Sequence, residues 1–232
     1  MSTSPKNVSA SRFGVWTPTL GSRDVELGRL SVTCGRLAIR DVYDLERPQV
    51  VLAVPSGDHR IWSTECYVRP VGEAAKLVLR PAYLSVELSH TAPAYVSSPE
   101  TLYHSDIPPY GVSVSTDLGI ILVHDADALT EADMASLDRN WERAWESPSY
   151  YSEVRSDSGV SVITCKTLFD NTRVPILASF DADDRPVAIH VDVALFDLAR
   201  ADVRALAPPA DAAAMSSAKN RRTLAQWFRR HR

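Results

Sequence analysis

From about residue 28 to residue 124 the apolar side chains recur at every second position, and no other feature of the chain narrows its fold as much. Leu30, Val32 and Cys34 alternate with Ser31 and Thr33, and Ala82, Leu84, Val86 and Leu88 alternate with Tyr83, Ser85 and Glu87. A period of two sends alternate side chains to opposite faces of an extended strand, whereas a helix needs about 3.6. Val50 to Val54 and Gly119 to Val123 are short apolar runs suited to strands covered on both faces. Turn chemistry separates these runs: Pro55-Ser56-Gly57-Asp58, Pro70-Val71-Gly72 and Pro108-Pro109-Tyr110-Gly111. Short strands with frequent turns predict a mainly β chain (β-rich α+β), folded as a single antiparallel sandwich or open-barrel-like domain.

One helix interrupts the pattern. Thr130 is placed to cap it by accepting the N–H of Asp133, and Glu131 and Asp133 suit its positive end. Met134, Leu137, Trp141, Ala144 and Trp145 then recur at spacings of three and four, which predicts an amphipathic helix over 130–146 packed on a sheet. Strand character returns at Val160 to Val162, Val174 to Phe180 and Pro186 to Val193. In the last of these, Val187, Ile189, Val191 and Val193 face one way and Ala188, His190 and Asp192 the other. A second helix is expected over 195–206, and Pro208-Pro209 then breaks the chain. The organisation read from this is a disordered leader over 1–12, a β-rich domain over 13–206, and a Pro-Pro linker with a basic helix over 207–232.

Charge supports some partners and disfavours others. The net charge is -4, but six of the 25 basic residues lie within 219–232, leaving 19 against 29 acids in the rest. An acidic body is a poor nucleic-acid binder and a reasonable partner for a basic protein. The basic tail carries Trp227 and Phe228, which predicts docking onto protein, within the chain or across a homodimer, rather than onto lipid. No run approaches the roughly 20 apolar residues of a membrane span, and the N-terminus lacks the apolar core of a signal peptide. Cys34, Cys66 and Cys165 are odd in number and lack C-x-x-C spacing, so they read as buried small hydrophobes. Cytoplasmic localisation is expected, with no membrane or nucleic-acid partner.

Four segments together resemble an uncharacterised bacterial family, domain of unknown function 4241. They are Cys34 to Asp41, Val54-Pro55-Ser56-Gly57, Val112 to Asp125, and Asp170-Asn171 with Val174-Pro175 and Phe180 to Arg185, closing at Val191-Asp192-Val193. The resemblance spans about residues 28–193 and implies a mainly β fold of one domain. It implies no activity. Asp117, Cys165, Phe169 and Asn171 stand where the family tends to carry residues that include glycines, which let backbone approach a ligand closely.

Histidine and carboxylate pairs are the candidate chemistry. His104/Asp106 and His190/Asp192 share a strand face in pairs, and His124-Asp125-x-Asp127 adds a third group. Imidazole with carboxylate suits Zn, Mn or Fe, or general acid/base work. Six histidines and 29 acids also generate such pairs by chance, and as ordinary residues they would be solvent-facing strand and loop positions. No G-x-S-x-G, G-x-G-x-x-G, Walker loop or H-E-x-x-H is present. A lowered pKa at Cys165, beside Lys166, is a further option. The preferred reading is a non-catalytic protein-binding module without cofactor, of the immunity type that neutralises a toxin. The alternative is a metal-dependent hydrolase or phosphoesterase using Asp170, Asp181, His190 and Asp192, with His190 and Asp192 as metal ligands.

Overall fold

The computed structural model describes residues 8–10, 12–18, 21–42, 50–68, 78–104, 111–117, 119–146, 149–167 and 172–193. The first half runs β1 (Val8–Ala10), β2 (Trp16–Pro18), β3 (Ser22–Val32), β4 (Arg36–Asp41), β5 (Val50–Ala53), β6 (Gly57–Val68) and β7 (Val78–Glu87). Then come β8 (Tyr95–Ser97), β9 (Tyr103–His104), β10 (Ser113–Thr116), β11 (Ile120–Asp125) and α1 (Glu131–Glu146). The last strands are β12 (Tyr151–Arg155), β13 (Ser161–Lys166), β14 (Thr172–Phe180) and β15 (Pro186–Asp192). These elements, Val78 aside, belong to one compact unit, Met1–Val68 with Leu79–Phe196. A second unit, Arg69–Val78 with Asp197–Arg232, consists apart from Val78 of residues outside the described set. The expected helices over 195–206 and 211–231 and the Pro208-Pro209 break also lie outside it.

Strands β1 and β2 pair with each other as a separate two-stranded sheet, and β3 to β15 form two antiparallel sheets, as the alternation predicts. One has the order β10-β14-β15-β7-β6-β3, with β8 added on β14, and the other β12-β13-β11-β4-β5-β9. Their inner faces meet in one core. Leu30, Ile61, Leu84, Ile176 and Ile189 from the first sheet join Leu37, Ile39, Leu52, Ile121 and Ile163 from the second. Full burial of such a side chain contributes roughly 1.5–3 kcal/mol, so this interleaved core is what holds the two sheets together.

The helix begins as its sequence requires. The Thr130 hydroxyl accepts the Asp133 N–H at 3.2 Å, and the Asp133 carboxylate accepts the Thr130 N–H at 3.0 Å. This reciprocal pair satisfies amide groups that the first turn leaves open. Ser158 donates to the same carboxylate, and Ser136 Oγ accepts the Asp157 N–H at 2.7 Å. The helix start is thereby tied to the β12–β13 turn. The Ser158 bond, and then those from Thr130, hold the Asp133 carboxyl well below the usual carboxylate range.

Two expectations are corrected. The expected leader over 1–12 is interrupted by a strand, because Val8–Ala10 pairs with Trp16–Pro18. The second concerns the polar alternates of β7 and β15. Tyr83, Ser85, Glu87, His190 and Asp192 are all buried, not solvent-facing. Phe13 lies against them, 5.8 Å from the His190 ring and 6.3 Å from Trp62, and packs in a small second cluster with Trp62 and Ala188. A period of two separates faces, but it does not say that one of them meets water. No helix among the described residues is long and apolar enough to cross a membrane.

Candidate functional site

His190 stands on β15 with neither ring nitrogen free. Its Nδ1 lies 2.8 Å from Ser85 Oγ on β7, and its Nε2 lies 2.6 Å from Ser179 Oγ on β14. Ser179 gives its only hydroxyl proton to the Phe13 carbonyl at 2.5 Å. Its oxygen must therefore accept from His190, which fixes the proton on Nε2 and leaves Nδ1 to accept from Ser85. The Ser85–His190 contact has the length of a nucleophile–base pair, but both residues are fully buried. Burial pushes the imidazole pKa down to about 3, so the ring stays neutral in the fold.

The other sequence-singled groups are also engaged. Asp181 Oδ1 accepts the N–H groups of Asp183 and Arg185, both at 2.9 Å, and closes the β14–β15 turn. Asp184 in that turn has φ 61, a conformation Asp tolerates. Those amides hold the Asp181 carboxyl below its usual range. Asp192 is buried on the same sheet face as His190, and Asp170 lies outside the described residues. His124 Nε2 accepts from Arg40 Nε at 2.9 Å, so its Nδ1 carries the proton and donates to the Asp125 carbonyl at 2.7 Å. Burial, and then the Arg40 charge, push its pKa down to about 3. The Asp125 carboxylate accepts from the backbone and hydroxyl of Thr33, both at 2.6 Å, and from the Cys34 thiol. Burial would raise its pKa, but the Cys34 and Thr33 bonds win and bring it to about 2. His104 Nε2 accepts the Ser113 N–H at 3.2 Å, while Asp106 lies outside the described residues.

The cysteines are free, and two are buried as expected. The suggested lowering at Cys165 is corrected: burial pushes its thiol well up, and Lys166 does not offset it. Among the described residues no group of three or more His, Cys, Asp or Glu is placed to hold a metal ion.

The structure also brings Arg29, Arg60, Glu87 and His90, which no motif announced, to the Pro55-Ser56-Gly57 turn. Where β6 begins and β7 ends there is a cleft of about 310 Å³, bordered by Arg29, Ser56, Asp58, His59, Arg60, Glu87, Ser89 and His90. Glu87 anchors it. Its carboxylate accepts from Trp62 Nε1 at 2.8 Å, Arg12 Nη2 at 3.1 Å and His90 Nδ1 at 2.8 Å. Burial would raise the Glu87 pKa, but the His90 and Trp62 bonds and the Arg12 charge hold it below the usual range. The Arg12 guanidinium also sits 4.2 Å above the Trp62 ring. With Nδ1 committed to Glu87, the His90 ring is held while 74% of its side chain stays exposed. His59 joins the walls, its ring nitrogens 2.7 Å from the Pro55 carbonyl and 3.2 Å from that of Glu87.

A bulge in β3 sets the register of the cleft. Glu26 opposes Trp62 and Gly28 opposes Ile61, so Leu27 is the extra residue and is left 39% exposed. Gly28 has φ 147, a conformation L side chains rarely adopt. Past the bulge, Arg29 falls directly opposite Arg60 and Ser31 opposite Asp58. No family model matches this chain, and neither a curated protein nor a solved structure does.

Proposed function

We propose that this chain is a non-catalytic binding protein that captures another protein, of the immunity type that neutralises a basic toxin. The observation that carries the reading is how the candidate catalytic groups are used. His190, His124, Asp181 and Asp125 spend their hydrogen-bonding capacity on internal partners. Groups so committed position the fold and offer little to a substrate. The excess of 29 acids over 19 bases before residue 219 favours a basic partner and speeds its encounter. The kinship with domain of unknown function 4241 remains part of the proposal, and the Pro55-Ser56-Gly57 turn of its second motif borders the cleft.

The test is co-expression with the product of the adjacent gene. A complex that survives gel filtration, forms more slowly as salt rises and suppresses the neighbour's toxicity is expected. Turnover of an ester or phosphodiester substrate by this chain alone, lost with His190→Ala in protein that still folds, would contradict it.

A further inference from the structure

In this acidic protein Arg29 and Arg60 are an exception to how its arginines are placed. Arg12, Arg23, Arg36, Arg139, Arg155 and Arg185 each sit on a carboxylate. Arg29 and Arg60 oppose each other directly across β3 and β6, which points both side chains to the same outer face. Among the described residues neither makes an ion pair or a hydrogen bond. Like charges directly opposite in a sheet repel and destabilise it, and the Gly28 bulge is what brings these two into register.

The same cleft contains the carboxylates of Asp58 and Glu87, and each accepts from other side chains. Asp58 accepts from the Ser31 hydroxyl, and Glu87 is taken up by Trp62, Arg12 and His90. Beside them the cleft is lined by two guanidiniums with no carboxylate partner among the described residues, by the exposed His90 ring and by Ser56. Two planar forks with five N–H donors each, beside a hydroxyl and an imidazole, match a group with two negative charges and several terminal oxygens. A cleft of about 310 Å³ has room for such a group and for a small substituent on it.

We propose that this cleft is a binding site for a phosphate dianion, free or as a phosphomonoester, held between Arg29 and Arg60 and flanked by His90. The anion relieves the repulsion of the arginine pair, so binding and fold stability are coupled. The site rests on the Arg29–Arg60 pair and does not depend on capture of a protein partner.

Calorimetric titration of the full chain in phosphate-free buffer tests this, with inorganic phosphate and glycerol phosphate as ligands and chloride as the ionic control. Saturable binding is expected for phosphate and none for chloride at equal ionic strength. Arg29→Gln and Arg60→Gln should each weaken binding roughly tenfold or more, and the double variant should abolish it. Phosphate should raise the melting temperature of the native chain and not that of the double variant. Equal affinity for the two ligands assigns free phosphate as the occupant, and tighter binding of the ester assigns a phosphomonoester. Without phosphate, both single variants should melt at or above the native temperature, since each removes a like-charge contact. Absence of saturable binding, its survival in the double variant, or a lower melting temperature of the single variants without phosphate would each overturn the proposal.

Discussion

Two histidines are held from the same face of β7, two residues apart, and they end in opposite circumstances. Ser85 gives its proton to His190, and Glu87 takes one from His90. Around His190 the second nitrogen is closed off by Ser179 and the Phe13 carbonyl, and the ring is fully buried. Around His90, among the described residues, only Nδ1 is committed, and the exposed ring lines a cleft with two arginines that make no ion pair there. A fixed tautomer is common to both. Access to solvent separates them, and it is set by the Arg12–Val15 segment, which covers one site and merely anchors the edge of the other through Arg12 and Glu87.

The sharpest way to separate the two is acid. Both enclosed rings, His190 and His124, have folded pKa values of about 3, below the roughly 6.5 of an unfolded histidine. Unfolded chains take up these protons first, so the stability the neutral rings contribute is full above about pH 6.5 and falls as pH drops toward 3. By pH 4.5 the two together should cost on the order of 5 kcal/mol. Denaturant midpoints measured from pH 7 downward should therefore fall before carboxylates titrate. A flat profile to pH 5 would break the comparison. Glu87 adds to the loss only further down, because its contribution is intact above the usual glutamate pKa, where the unfolded chain begins to bind the proton, and is lost as pH falls from there through its lowered folded value.

Substitution should reproduce the contrast on a smaller scale. His190→Ala opens a cavity and leaves the buried Ser85 hydroxyl without its acceptor, and should cost about 3 kcal/mol in chemical denaturation. Glu87→Gln keeps the shape but removes the charge that holds Arg12 and His90, at about 1–2 kcal/mol. Gly28→Ala should cost about 1 kcal/mol for its positive φ and weaken phosphate binding by disturbing the Arg29–Arg60 register. His90→Ala, on an exposed side chain, should change stability by less than about 0.5 kcal/mol. Comparable losses from His90→Ala and His190→Ala would erase the distinction.

What the sequence made legible follows from local physics. Alternation marked the strands, and Thr130 with Asp133 marked the helix start, because each signal needs only neighbouring residues. The burial of the polar alternates of β7 and β15 was not legible. It depends on Phe13, whose carbonyl meets a serine 166 positions away. The cleft was hidden for a related reason. Arg29 and Arg60 are unremarkable in sequence until a one-residue bulge pairs them, and Glu87 and His90 carry no motif. The His190/Asp192 pair was correctly placed on one face, but a shared face says nothing of access.

The most direct measurement is a long-range proton–nitrogen NMR spectrum of the imidazole rings, recorded with and without inorganic phosphate. His190 is expected as a neutral Nε2–H tautomer and His124 as a neutral Nδ1–H tautomer, both unmoved by phosphate and by pH down to the onset of acid unfolding. The His90 signals are expected to shift as phosphate is added and to stop shifting at saturation. Protonation of His190 within the folded protein near pH 6.5, or a His90 signal indifferent to phosphate, would contradict these assignments.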